Sequence, residues 1–359
     1  MLKDILKLSK RLIKIESTKD KKENLRKALR VCLKELEGFN KTVFKDKEAP
    51  STLIFNTHQK PKKFKILLNA HLDVVEGTKD QFKPHIKGNK LYGRGAYDMK
   101  SALAVELLVF KNLAHKLNYP IGLQLVTDEE IGGFKGTKYQ LQQGVKADFV
   151  IAGEPTELDI NNKAKGLIWA KFTLKGKTAH GAHPWQGKNA LVKATNLIHK
   201  TLKKYPIPKK EEWKTTVNIA KIETNNKSNN VVPKQASVTM DIRYIPKDNK
   251  RILKFLNKLS KEFNANLELL LNEPHQSTPK NNIYVKKLAK ATKKVIKKEP
   301  KIIVKHGGSD IRHFNSFGIQ GVTFGPKGAN LHAKNEWVNI KSLEQYYRAL
   351  EEFLINLQA

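Results

Sequence analysis

Three short apolar runs constrain the fold more than any other feature of this chain. Phe64 to Ala70 ends at His71, Ile121 to Val126 ends at Thr127, and Phe149 to Ala152 ends at Gly153. Runs of this length bounded by polar or glycine residues read as buried strands. Between the first two, Leu103, Leu107, Phe110, Ala114 and Leu117 mark one stripe of a helix over residues 101–118. Strands and helices in this alternation predict an α/β domain with a doubly wound, mostly parallel sheet. Such sheets bind ligands outside the carboxyl ends of their strands, where His71, Asp128 to Glu130 and Glu154 fall.

Near Lys165 the pattern changes. Trp169 to Leu174 alternates, 189–202 is helical, Val217 to Ile222 alternates, Ala236 to Ile245 alternates strictly, 250–263 is helical, and Leu267 to Leu271 closes the set. Strand, helix, strand, strand, helix, strand is the order of a ferredoxin-like split α+β fold. After a polar stretch at 273–282, helix and strand alternate again and end in a helix over 343–357. A smaller domain of residues 165–275 is therefore expected to be inserted in a larger one made of residues 1–164 and 276–359.

A chain of 359 residues that is 39% hydrophobic can pack both. No apolar run approaches the roughly 18 residues of a membrane span, and Met1 to Ile15 mixes lysine with leucine at helical spacing, so a cytoplasmic protein is the default expectation. The single Cys32 excludes an internal disulfide framework and a multi-cysteine metal site, so any metal must be held by histidine and carboxylate. A net charge of +34 suggests nucleic acid as a partner. Yet only 8 of the 68 basic residues are arginine, and the lysines are spread over the whole length. That distribution reads as a solvated surface, one able to steer acidic substrates, and leaves nucleic-acid binding a remote alternative.

Acidic and histidine residues concentrate beside small ones in four segments: NAHLDVV at 69–75, GRGAYDMK at 93–100, TDEEIGG at 127–133 and AGEPT at 152–156. LHAKNEW at 331–337 adds a late histidine. A strand-terminal His-x-Asp lets Asp73 orient a metal-bound His71, although alone His71 reads equally as a satisfied core histidine. Asp98, in a glycine-flanked turn before a helix, suits a carboxylate bridging two cations or a helix cap. Adjacent Glu129 and Glu130 point in different directions, so one can bind metal while the other accepts a proton. Glu154 before Pro155 is a further ligand candidate or a surface turn.

In order, HLD, GRGAYDMK, TDEEIGG, GEPT, GKTAHGAHP, NVVP, DIR, GGSD and LHAKNEW resemble the co-catalytic metallopeptidase family. That family includes acetylornithine deacetylase, succinyl-diaminopimelate desuccinylase, aminoacylase and glutamate carboxypeptidase. The likeness runs from about residue 60 to the C-terminus, and the first 60 residues fit the family's N-terminal helix. It implies that residues 165–275 are a lid and dimerisation domain.

The resemblance further implies that His71 and Glu154 bind one ion, Glu130 and His332 bind a second, and Asp98 bridges them through an aspartate followed by a cis peptide. Glu129 is then the general base acting on a metal-bridging water. Arg243 resembles the family arginine that grips a substrate carboxylate, and Asn230, Gly308 and Ser309 are expected to line the pocket. His180, followed by the permissive Gly181, is expected to reach into the partner subunit of a homodimer and donate to the developing oxyanion. The implied cofactors are two divalent ions, zinc first, with cobalt or manganese also compatible with one histidine per ion. The expected reaction is hydrolysis of the amide of a small N-acyl amino acid. A carboxypeptidase or dipeptidase on short peptides is the alternative, because the fold cannot separate them.

Overall fold

From Ile66 to Ala70, successive side chains of the strand Phe64–His71 turn to opposite faces and thereby set the layers of the larger unit. Phe64 and Leu67 join Leu53, Phe55, Val150, Ile311 and Phe314 on one side, whereas Ile66, Leu68 and Ala70 join Leu103, Leu107, Ile151, Leu343 and Phe353 on the other. The structure, a computed structural model, describes residues 1–46 and 48–358. Its central sheet contains β1 (Asn40–Phe44), β2 (Ser51–Phe55), β3 (Phe64–His71), β4 (Ile121–Val126), β5 (Ala147–Ala152), β6 (Ile160–Ala164) and β7 (Gln320–Thr323). Their order is β1-β2-β4-β3-β5-β7-β6. The middle four, β4-β3-β5-β7, are parallel; β2 and β6 run antiparallel to them at the flanks, and β1 pairs antiparallel with β2. Helices Leu2–Ile13, Lys100–Leu113, Ile283–Ile296 and Ile340–Ile355 cover one face, and Thr137–Gln142 with Ile311–Ser316 cover the other. This is the doubly wound α/β arrangement expected from the three apolar runs.

The first 60 residues differ from the expected helix. They form two helices, Leu2–Ile13 and Lys22–Glu35, followed by the antiparallel pair β1 and β2. Strand β1 lies at the sheet edge with only Phe44 buried, so its residues carry no apolar pattern from which to read it. The helix expected over 101–118 spans Lys100–Leu113 and continues as a 3₁₀ turn over Ala114–Lys116. Nearly all of its side chains are buried, so it has no solvent stripe.

Lys100, at the start of that helix, is wholly buried and donates to the carbonyls of Leu12 at 3.1 Å and Ile15 at 2.7 Å. Burial pulls its ammonium down to about 7. Leu12 lies in the last turn of the Leu2–Ile13 helix and Ile15 just beyond it, so Lys100 fastens the N-terminal segment to the residues beside Asp98. Lys100→Met should remove one of two donors from each carbonyl, since Leu12 O keeps the N–H of Ile15 at 3.0 Å and Ile15 O that of Ser17 at 2.9 Å, and a hydrogen bond from a charged donor contributes about 1.5 to 3 kcal/mol. Denaturant unfolding of the metal-free protein is expected to register a loss of roughly 2 to 4 kcal/mol; a loss below about 0.5 kcal/mol would mean that water replaces the ammonium at little cost.

A second compact unit comprises Ala164–Gln276 together with Val304–Gly308, while Met1–Lys163, Ser277–Ile303 and Ser309–Ala359 belong to the first. Strands Gly166–Lys175, Thr216–Glu223, Gln235–Tyr244 and Ala265–Glu273 form its antiparallel sheet in the order second, third, first, fourth. That order is the ferredoxin-like one. Ile168, Ala170, Phe172, Val238, Met240 and Ile242 face helices Ala190–Lys204 and Asn249–Glu262 through Ala194, Leu197, Ile252, Leu256 and Leu259. The other face carries Trp169, Asp241 and Arg243, with Trp169 exposed.

Candidate active site

The carboxyl ends of β3, β4 and β5 deliver the polar segments singled out in the sequence. His71 closes β3 and is 1% exposed. Its Nδ1 donates to the backbone carbonyl of Asp73 at 3.0 Å, which leaves Nε2 facing Asp98 Oδ1 at 3.1 Å and Glu154 Oε1 at 3.7 Å. On the other side of Asp98, Oδ2 lies 3.1 Å from His332 Nε2, and His332 Nε2 lies 3.3 Å from Glu130 Oε2. Two clusters result, His71–Asp98–Glu154 and Asp98–Glu130–His332, each with ligand atoms within 4.8 Å of one another. They share only Asp98.

Asp73 behaves differently from the expected carboxylate–imidazole brace. Its carboxylate stands 3.5 Å from His71 Nδ1 and instead accepts the backbone N–H of Glu129 at 3.3 Å and of Glu130 at 2.9 Å. The strand-end His-x-Asp therefore orients two segments at once, the imidazole through a carbonyl and the acidic pair through a carboxylate. Asp98 does not cap the following helix, whose first residue is Lys100 and whose N-cap, Met99, makes no side-chain hydrogen bond. The Asp98–Met99 peptide is cis. His332 has φ 59°, the left-handed region.

The charges in this pocket call for cations. Burial works against a protonated His71, yet the nearby carboxylates of Asp73 and Asp98 and the charge of Glu154 hold its imidazole well above the usual value. Hydrogen bonds to Asp98 and Glu130 push His332 up to about 10. Burial alone would raise Asp98, but His332 and His71 hold it well below the carboxylate range. Glu129 and Glu130 are both raised, chiefly by burial, and Glu129 further by the charge of Glu154. Glu130 Oε1 is buried without a hydrogen-bond partner among the described residues. Three carboxylates around two imidazoles, with an oxygen left unpaired, form a donor set suited to two hard or borderline divalent ions.

Glu129 belongs to neither cluster. Its Oε1 lies 4.0 Å from Arg312 Nη1, and Arg312 Nη2 donates to the Gly132 carbonyl at 2.7 Å. A buried polar chain runs behind the acidic pair: Asn69 donates to Gln124 at 2.8 Å, and Thr137 Oγ1 donates to Asp310 Oδ2 at 2.5 Å.

Comparison with known proteins decides the family. The family model described as peptidase family M20/M25/M40 matches residues 67–356. The chain belongs to this family. As an M20 protein it is a hydrolase of the metallopeptidase type. It is 31% identical over 321 residues to a succinyl-diaminopimelate desuccinylase of Pelagibacter ubique (strain HTCC1062), covering 80% of this chain and 81% of that one. A desuccinylase of Helicobacter pylori (strain Shi470) is 31% identical over 304 residues, 80% and 79% of the two chains. Among solved structures, aminopeptidase PepT from Bacillus cereus ATCC 10987 superimposes with a TM-score of 0.82 at 19% identity, covering 100% and 99%. The Bacillus subtilis YXEP protein, described as a dinuclear metal-binding peptidase from the M20 family, gives 0.72 at 14% identity, covering 99% and 98%. At such identities the likeness to the solved structures is one of fold.

The M20 chain holds the other expected residues in or beside its smaller unit. His180 is exposed, and its Nδ1 accepts the N–H of Ala182 at 3.1 Å, which leaves the ring proton of a neutral imidazole on Nε2. Gly181 N–H donates to the Asn230 carbonyl at 2.6 Å, and a Cβ there would meet Asn230 backbone atoms at 3.0 to 3.1 Å, so a side chain would push the two segments apart by a few tenths of an ångström. The Arg243 fork is engaged by Asp241 through Nε at 2.8 Å and Nη2 at 3.1 Å. Gly308 is exposed in the smaller unit, whereas Ser309 is buried in the larger one with Oγ accepting the N–H of Ile311 at 3.3 Å.

Residues absent from the expected set also bear on the M20 site. Glu336, 1% exposed, accepts from Arg94 and from the turn that carries Asp98. Arg312 and Asp310 flank Glu129. All lie inside or beside the recognised segments GRGAYDMK, GGSD and LHAKNEW, whose wording was the one available signal.

Proposed function

We propose that this M20 hydrolase removes a dicarboxylic acyl group, of the succinyl type, from an amino-acid nitrogen, using two divalent ions, zinc in the native state. The observation that carries the reading is the pair of ligand clusters sharing Asp98 with Glu129 left outside both. Desuccinylase relatives alike over four-fifths of the chain supply the substrate class. When bound, two ions supply Lewis acidity at the scissile carbonyl and a more acidic attacking water. Glu129 takes the proton of that water and returns it to the departing nitrogen. Asp73 holds the backbone of Glu129 and Glu130 so that base and ligand keep separate directions. A positive surface steers dianionic substrates inward. A panel of succinyl-diaminopimelate, acetyl-ornithine, acetyl-amino acids and dipeptides with zinc, cobalt or manganese tests this. The highest kcat/KM is expected for the succinylated substrate; faster dipeptide cleavage would make the chain a peptidase.

Arg243 is assigned to a substrate carboxylate, with Asp241 keeping its fork planar and oriented until substrate arrives. Arg243→Lys retains charge but loses the fork, and KM for carboxylate-bearing substrates is expected to rise about tenfold with metal content unchanged. A change under twofold would make Arg243–Asp241 a structural pair only.

The smaller unit is assigned the lid and the contact of a homodimer, with His180 Nε2–H donating to the oxyanion in the partner's site. Mixing Glu129→Gln with His180→Ala subunits is then expected to restore roughly a quarter of wild-type activity at equal ratio, since one site in each mixed dimer is intact. Demonstrated exchange without recovery would place His180 in its own subunit's site or outside catalysis.

A further inference from the structure

We propose that the buried Arg94–Glu336 pair positions two of the five ion ligands, the shared Asp98 and the His332 that with Glu130 completes one of the two ions. The inference rests on the two-ion reading above. Glu336 Oε1 accepts the backbone N–H of Tyr97 at 2.9 Å and of Asp98 at 3.1 Å. Glu336 Oε2 accepts Arg94 Nη1 at 2.7 Å and the N–H of Gly95 at 3.1 Å. One carboxylate thus gathers four donors, all from the turn that ends at the shared ligand Asp98. Arg94 Nη2 donates to the carbonyl of His332 at 3.0 Å, so the same guanidinium fixes the backbone of the second ion's histidine.

The neighbouring backbone agrees. Trp337 pairs with Tyr92 in a small antiparallel sheet, and Gly93 N–H donates to the Glu336 carbonyl at 3.1 Å. Gln81 links both segments, accepting at its carbonyl from Arg94 N–H at 2.8 Å and donating from its side chain to the Ala333 carbonyl at 3.1 Å. Segments 93–98 and 332–336 are thereby held as one piece. Their hydrogen bonds go to the turn that ends at Asp98 and to the His332 backbone, whereas His71 is held from Asp73 and Asp98.

Stability alone does not account for such a pair. Both side chains are at least 96% buried, and a buried ion pair gains little over an apolar replacement of the same volume, because desolvation offsets its attraction. A carboxylate spent on three backbone N–H groups and an arginine spent on a ligand's carbonyl have instead the form of an outer support for a metal site, whose loss typically weakens metal affinity by 10- to 100-fold.

The test is calorimetric titration of zinc into metal-free wild type, Glu336→Gln, Arg94→Lys and a control, Glu35→Gln, which breaks the Arg11–Glu35 pair at 2.6 Å. Cobalt absorption spectra report the coordination of each ion. Wild type is expected to bind two ions. Glu336→Gln places an amide N–H₂ against N–H donors and should weaken the ion completed by Glu130 and His332 at least tenfold, with an altered cobalt spectrum, while the other ion, which shares only Asp98 with this support, weakens by a smaller factor. Arg94→Lys removes the bond to the His332 carbonyl and serves as the milder variant if Glu336→Gln fails to fold; it should weaken the same ion. Equal weakening of both ions, or unchanged affinities with only a lower unfolding midpoint, would overturn the positioning role. Fewer than two ions in wild type would overturn the two-ion reading itself, and this inference with it.

Discussion

Glu129→Gln is expected to retain both ions and lose at least about a hundredfold in turnover, the usual contribution of a positioned general base. Glutamine keeps the shape and the backbone contact with Asp73, and Glu129 has no place in either ligand cluster, so metal content should not move. Glu130→Gln should do the reverse. That residue contributes Oε2 at 3.3 Å from His332 Nε2, and a neutral amide there would weaken one ion before it affected proton transfer. Elemental analysis of the desalted proteins beside kcat separates the two. Equal metal loss in both variants would mean that the division of roles between these neighbours is wrong.

Asp98→Asn should be the most damaging single substitution. Asp98 is the only side chain common to both clusters, offering Oδ1 toward His71 and Oδ2 toward His332, each at 3.1 Å. Asparagine keeps one oxygen and turns the other position into a donor, which repels a cation. At least one ion should be lost on desalting. An ion acting as Lewis acid supplies several kcal/mol of transition-state stabilisation, so turnover should fall about a thousandfold or more. Two retained ions with turnover within tenfold of wild type would remove Asp98 from the bridging position.

Much of this arrangement was legible because parallel strands end where ligands bind. His71 is the last residue of β3, and Glu130 and Glu154 lie in the segments just past β4 and β5, so apolar runs locate them without knowledge of any contact. The ferredoxin-like unit was equally readable, since its two central strands, Gly166–Lys175 and Gln235–Tyr244, bury every second residue. Edge strand β1 was not, because polar, exposed residues carry no period. Lys100 was also hidden: lysine is ordinarily a surface residue, and only the backbone carbonyls of Leu12 and Ile15 explain its burial. Glu336 and Arg94 are the deepest omission. Their partners are mostly main-chain N–H and C=O groups about 240 residues away, and backbone partners leave no mark in a sequence. Asp73 illustrates a role read by type and corrected in detail, with a carbonyl on the imidazole and the carboxylate on the acidic pair.

The direct test of the central claim, that this M20 hydrolase works with two ions held by His71, Asp98, Glu130, Glu154 and His332, is elemental analysis coupled to chelation. Two divalent ions per chain are expected, with amide hydrolysis lost on removing them and regained on adding zinc, cobalt or manganese. Protein without bound metal whose hydrolysis is unaffected by chelator would contradict the account.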